Sequence, residues 1–178
     1  MFIRSIHLEN FRNYGRLDLD VGPSVNIFYG NNAQGKTNLV EGIYVASSIA
    51  SHRTSKDQDL IKFGENEYKT SLDLTDDDGS NVQLSSCFYT ERSALSRNGR
   101  SGRLLVVDNA PADKISEYIG ICNIVIFAPE DLNIVKNAPS YHIAKLREHI
   151  CQNRIASLGR HLVQIPVLYQ AAIKHTAR

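Results

Sequence analysis

The stretch Val25-Asn26-Ile27-Phe28-Tyr29-Gly30-Asn31-Asn32-Ala33-Gln34-Gly35-Lys36-Thr37 decides the fold. Its first five residues form a short apolar run after the break at Pro23-Ser24, which predicts a buried strand ending at Gly30. Gly30 to Thr37 then match G-x-x-x-x-G-K-[ST] at every fixed position. Beyond them Leu39, Val40, Ile43 and Tyr44, with Ala46 or Ser47, recur at spacings of three and four, so an amphipathic helix should follow and fade around Ser48 to Ser51. A strand, a glycine-bearing loop and a helix in this order are the setting in which such a loop cradles phosphates. Gly30 and Gly35 permit positive φ and close backbone approach. The N–H groups across Asn31, Asn32, Ala33 and Gln34, and the helix N-terminus behind them, face anionic oxygens. Lys36 is placed to reach the β- and γ-phosphates, and the Thr37 hydroxyl to ligate Mg²⁺. The expected ligand is ATP with Mg²⁺ rather than GTP, because no Asn-Lys-x-Asp base-reading segment occurs in the chain.

Upstream, residues 2 to 9 alternate loosely and Arg16 to Val21 strictly, as strands do, with Asn13-Tyr14-Gly15 as the turn between them. Downstream, Tyr68 to Thr75 and Asn81 to Thr90 flank Asp76-Asp77-Asp78-Gly79-Ser80 and read as an antiparallel hairpin. Asn98-Gly99 marks another turn. Pro111-Ala112-Asp113 should open a short helix toward Tyr118. Cys122 to Phe127 reads as a second buried strand, stopped by Ala128-Pro129, and Ser140 to about Arg160 as a helix. The pattern is a mixed α/β arrangement on a nucleotide-binding theme, not a plain alternation of strand and helix.

The chain of 178 residues, 42% hydrophobic, has room for one domain with a core. No apolar run approaches the roughly 18 residues of a membrane span, and the N-terminus lacks a signal-peptide pattern, so the expected location is cytoplasmic with no membrane partner. The three cysteines, Cys87, Cys122 and Cys151, lie far apart without metal-ligand spacing and read as buried thiols of a reducing compartment. The net charge of +1 conceals an asymmetry: residues 1 to 136 carry 14 Lys/Arg against 18 Asp/Glu, whereas residues 137 to 178 carry 6 against 1. That basic end fits either a phosphate-backbone partner or a solvated helix face that docks on an acidic surface.

Hydrolysis needs an acidic residue at the end of a buried strand. Leu104-Leu105-Val106-Val107-Asp108 imitates that arrangement, and Leu95-Ser96-Arg97-Asn98-Gly99 imitates a leucine-serine-glycine signature. Asn109 stands where a catalytic Glu would follow, and Asn98-Gly99 is explained by a turn, so both are read as look-alikes.

Three segments go beyond a generic phosphate loop: Leu8-Glu9-Asn10-Phe11-Arg12-Asn13-Tyr14, the loop continued as Asn38-Leu39-Val40-Glu41, and Ser51-His52-Arg53-Thr54. With Phe127-Ala128-Pro129-Glu130-Asp131-Leu132, then Val135-Lys136 and Pro139, they resemble the RecF family of bacterial DNA replication and repair proteins, over about residues 1–140. The resemblance implies a P-loop NTPase of the ABC/SMC-like head type, with an antiparallel β subdomain, that dimerises on ATP. It also implies binding to single-stranded or gapped DNA, a place in the SOS response, and action with RecO- and RecR-type mediators. Carried over by position, Arg12 and Asn13 would lie near the base or ribose and Arg53 near the phosphates. Glu130 and Asp131 would lie where such heads sense γ-phosphate and Mg²⁺; their simpler reading is the cap of a helix N-terminus.

The chain departs from the family in two ways. The family's coiled-coil arm, signature motif and acidic strand have no counterpart in it, so it reads as a fragment, a truncated product or half of a split protein that should bind nucleotide with little turnover. Residues 141–178, beginning Tyr141-His142-Ile143-Ala144, also diverge from the family's arginine-rich continuation and form a basic helical segment separate from the head at 1–140. Two other readings stand beside this one. One is a phosphotransferase or kinase with Arg92, Arg97, Arg100 and Arg103 as a lid; the other is a non-catalytic interaction fragment.

Overall fold

The alternation at the start of the chain builds its first strand, β1 (Phe2–Phe11), which the loose pattern of residues 2 to 9 foreshadowed. Ile6 and Leu8 turn to the inner face and are buried, while His7 and Glu9 turn outward. In the computed structural model, which describes residues 1–126, β1 pairs with β2 (Tyr14–Asp20) through a register that closes at Phe11 opposite Tyr14. The turn is therefore Arg12-Asn13, one residue earlier than Asn13-Tyr14-Gly15. Arg12 adopts a left-handed φ of 54°, uncommon outside glycine, and frees Tyr14 and Gly15 to join the strand.

The expected hairpin follows as β3 (Glu67–Thr75) and β4 (Asn81–Tyr89), paired from Glu67–Tyr89 to Thr75–Asn81. Strands β5 (Gly102–Val107) and β6 (Ala110–Pro111) complete a six-stranded sheet in the order β2-β1-β3-β4-β5-β6, every neighbour antiparallel. The inner face is apolar, with Leu8, Leu72, Leu74 and Leu84 among its buried side chains.

Helix α1 (Lys36–Ser48) covers that face and buries Leu39, Ile43, Val45 and Ala46 against it. Its close approach depends on Gly42, where a Cβ would stand 2.7 Å from Leu8 Cδ2. A short helix, α2 (Ile115–Tyr118), buries Tyr118, whose hydroxyl donates to the Ala46 carbonyl and ties the end of the described chain to α1.

Several expected elements take another form. Val25 to Tyr29 joins no ladder among the described residues, and Val25, Ile27 and Tyr29 are 63%, 62% and 82% exposed. An apolar run becomes a strand only where a neighbour pairs its backbone, and none of the described strands lies beside it. Cys122 to Ile126, the described part of the second apolar run, likewise contains no strand beyond the single bridge residue Asn123. Pro111 ends β6 rather than opening a helix, because Val106 and Val107 pair with Pro111 and Ala110; helical structure starts only at Ile115. Glu130, Asp131 and the basic segment lie outside the described residues. Among the described residues no helix is long and apolar enough to cross a membrane.

Candidate nucleotide site

The phosphate loop emerges from Gly30 and enters α1 through Gly35, the N-cap residue, with φ 104°. Gly35 is required by that φ, and a Cβ there would also lie 2.6 Å from Asn13 Nδ2, so the Asn13 side chain would have to shift. Ala33 also takes a left-handed φ of 64°. The first turn of α1 has no side-chain cap and no acidic residue. A carboxylate there would stabilise the helix. Its absence leaves the N–H groups of the first turn to an anion. Lys36 Nζ folds back over the loop, donating to the carbonyls of Gly30 at 2.8 Å and Asn31 at 2.7 Å. Thr37, the expected Mg²⁺ ligand, is exposed at the start of the helix.

The β1–β2 turn reaches the same place. Asn13 Nδ2 donates to the Gln34 carbonyl at 3.3 Å, and Asn38 Nδ2 to Asn13 Oδ1 at 2.8 Å. Asn13 is thus joined both to the loop and to the first turn of α1. Arg12 points to the other side of the turn. Its Nε and Nη2 grip the two oxygens of Glu41 at 2.9 and 2.8 Å, and its Nη1 donates to the Asp59 carbonyl at 2.8 Å. Arg53 Nη1 donates to Glu41 Oε2 at 3.0 Å and to Asn38 Oδ1 at 2.9 Å.

Glu41, fully buried on α1, is the centre of this cluster, a site residue that the motifs alone do not single out. The signal was present: a carboxylate inside the apolar run Leu39-Val40-Glu41-Gly42-Ile43 must find cations. Burial pushes the Glu41 carboxyl up, but the Arg12 bonds, the Ser51 hydroxyl at 2.6 Å and the Arg53 charge outweigh it and hold the group below its ordinary value. Ser51 Oγ in turn accepts from the Arg53 amide at 3.0 Å, which orders the Ser51-His52-Arg53-Thr54 segment beside α1. The loop, Arg12, Asn13 and Arg53 therefore belong to one connected cluster. Glu130 and Asp131 lie outside the described residues.

The two look-alikes belong elsewhere. Asp108 and Asn109, with φ of 49° and 67°, form the two-residue turn between β5 and β6. Asp108 Oδ1 accepts from the Gln83 amide at 2.8 Å. Ser96 Oγ accepts from the Arg100 amide at 3.0 Å and donates to the Arg100 carbonyl at 2.9 Å, which makes Leu95 to Gly99 part of a turn. Among the described residues no group of His, Cys, Asp and Glu is arranged to hold a metal by itself.

A phosphate loop that opens a helix packed on an antiparallel sheet is the arrangement of a P-loop ATPase fold, and the AAA-domain family model matches residues 5–154, so the chain belongs to that family. Within it the similarity is to RecF. The chain is 41% identical over 154 residues to the DNA replication and repair protein RecF of Agathobacter rectalis, covering 85% of this chain and 39% of that protein. It is 44% identical over 140 residues to RecF of Lachnospira eligens, covering 79% and 36%. The chain thus spans well under half the length of the curated relatives it matches. Among solved structures, the recombination mediator protein RecF-ATP of the RecFOR pathway superposes with a TM-score of 0.71 at 29% identity, covering 85% of this chain and 38% of that one. A structure from work on ATP-driven dimerization and DNA-stimulated activation of SMC ATPases shares the fold, with a TM-score of 0.61 at 16% identity, covering 86% of this chain and 99% of that one. The resemblance to RecF holds, and the likeness to the SMC ATPase structure is one of fold.

Proposed function

We propose that this chain is the nucleotide-binding part of a RecF-like head that holds ATP with Mg²⁺ and serves DNA replication and repair at single-stranded gaps. The observation that carries the reading is the phosphate loop itself: left-handed Gly35 at the helix N-cap, Lys36 folded over the loop, and an uncapped first turn free of carboxylates. Anionic phosphates would replace the Gly30 and Asn31 carbonyls as partners of Lys36, a charge-assisted exchange that favours the ligand. Thr37 would supply its hydroxyl to Mg²⁺. Asn13, joined to the loop, would border the ribose or base.

In this reading nucleotide acts on conformation and on dimerisation, and Asp108, which accepts from the Gln83 amide in the β5–β6 turn, is not assigned to turnover. DNA, RecO- and RecR-type mediators and a second copy of the head are the proposed partners, by similarity to relatives of which this chain spans 39% or less. Residues 141–178, which carry the basic excess, form the proposed contact to the DNA backbone.

Titration of the full chain onto gapped and fully duplex DNA, with and without Mg²⁺-ATP, tests this. Expected is binding to gapped DNA that ATP strengthens and that weakens steeply as salt rises. Salt-insensitive binding, or none with ATP bound, would overturn the DNA reading.

A further inference from the structure

A buried carboxylate needs one cation beside it, and Glu41 has two. Arg12 meets both of its oxygens in a fork and spends all three guanidinium nitrogens, two on Glu41 and one on the Asp59 carbonyl. That pair alone neutralises Glu41. Arg53 is therefore in excess, and the cluster carries a net positive charge on α1 next to the phosphate loop.

The two arginines also differ in how they are used. Arg12 is 20% exposed, whereas Arg53 is 42% exposed. A single nitrogen, Nη1, makes both Arg53 side-chain bonds, to Asn38 in the first turn of α1 and to Glu41 one turn on. Among the described residues its Nε and Nη2 donate to nothing, and Nη1 holds the guanidinium beside Asn38 in the first turn of α1. Glu41 is additionally fixed by Ser51, two residues before Arg53, whose hydroxyl binds the carboxylate and caps the Arg53 amide.

We infer that Glu41 is a positioning residue of the nucleotide site: with Arg12 as its counter-charge, it aims the spare donors of Arg53 at the phosphates held by the loop. The inference rests on the proposed ATP site, and Lys36→Ala separates the two. If Lys36→Ala leaves Mg²⁺-ATP affinity intact, the site reading itself fails.

Position and charge pull in opposite directions, which makes the inference testable by sign. Removing a carboxylate near bound phosphate raises the local positive potential and, with geometry unchanged, tightens binding. Losing the aim of Arg53 weakens it. Calorimetric titration of Mg²⁺-ATP into the full chain and into Glu41→Gln, Arg53→Gln and the double variant decides between them. Expected is an approximately tenfold loss in each single variant and no further loss in the double, because both remove the same contact. Tighter or unchanged binding in Glu41→Gln would overturn the inference, as would losses that multiply in the double variant. Should Glu41→Gln fail to fold, as judged by circular dichroism, Ser51→Ala replaces it in the same cycle. A Ser51→Ala loss that disappears in the Arg53→Gln background supports the inference, and one that persists undiminished overturns it.

Discussion

At Gly35 the backbone φ of 104° excludes other residues more firmly than crowding does, since the nearest atoms to an added Cβ are the movable ends of Asn13 and Tyr14. Gly35→Ala should cost about 1–3 kcal/mol in stability through that backbone strain. It should also weaken Mg²⁺-ATP binding at least tenfold, measured by thermal denaturation and calorimetry on the same preparation. At His7 the expectation concerns pH. Desolvation lowers its affinity for a proton, but Asp18 at 2.8 Å and Asp73 at 3.1 Å more than compensate, and the net direction is upward. A histidine that binds its proton more tightly in the folded state adds stability that is fully present below its unfolded value of about 6.5 and lost as pH rises through the folded value. Asp18 and Asp73 are held below the ordinary carboxylate range, so both remain charged in that window. His7→Gln should therefore lower Tm more at pH 5.5 than at pH 8.5. Equal losses at both would refute the paired charge.

Helix α1 shows where the sequence was legible and where it was not. Its apolar spacing and the glycine-lysine pair at its start marked both the element and the ligand proposed for it. The fate of Val25–Tyr29 was not readable, because whether an apolar run pairs depends on a neighbouring strand that local pattern does not encode. The Arg12-Asn13 turn was hidden for a related reason: a left-handed arginine is visible only through its tertiary bonds to Glu41 and Asp59. Glu41 itself needed the folded cluster to reveal its partners, although its place in an apolar run was the clue. Two substitutions test the element scale. Gly42→Ala gains about 1 kcal/mol of helix propensity but overpacks buried Leu8 by about 1–3 kcal/mol. A net fall in Tm is expected, with nucleotide affinity of the folded fraction retained. Asp108→Asn, in the β5–β6 turn, should leave any nucleotide turnover unchanged within twofold, checked by phosphate release; a collapse of turnover would return Asp108 to the chemistry.

Over the whole molecule, the described residues combine a well-packed sheet and helix with an exposed apolar run at Val25, Ile27 and Tyr29. Such patches bind hydrophobic partners or dyes. Replacing Val25 and Ile27 with Thr should at least halve the fluorescence of a bound apolar dye without lowering Tm, while unchanged fluorescence would show that the run is not the dye site. The phosphate loop ties this scale to the others, since the sheet presents the β1–β2 turn, α1 presents its uncapped end, and Glu41 links both to Arg53. The most direct test is calorimetric titration of ATP into the full chain and into Lys36→Ala, each with and without Mg²⁺. The expected result is saturable binding at one site that requires both Lys36 and Mg²⁺, with phosphate release far below the ordinary enzyme range of roughly 1 s⁻¹ or more. Binding that survives Lys36→Ala unchanged, or no binding by the native chain, would contradict it.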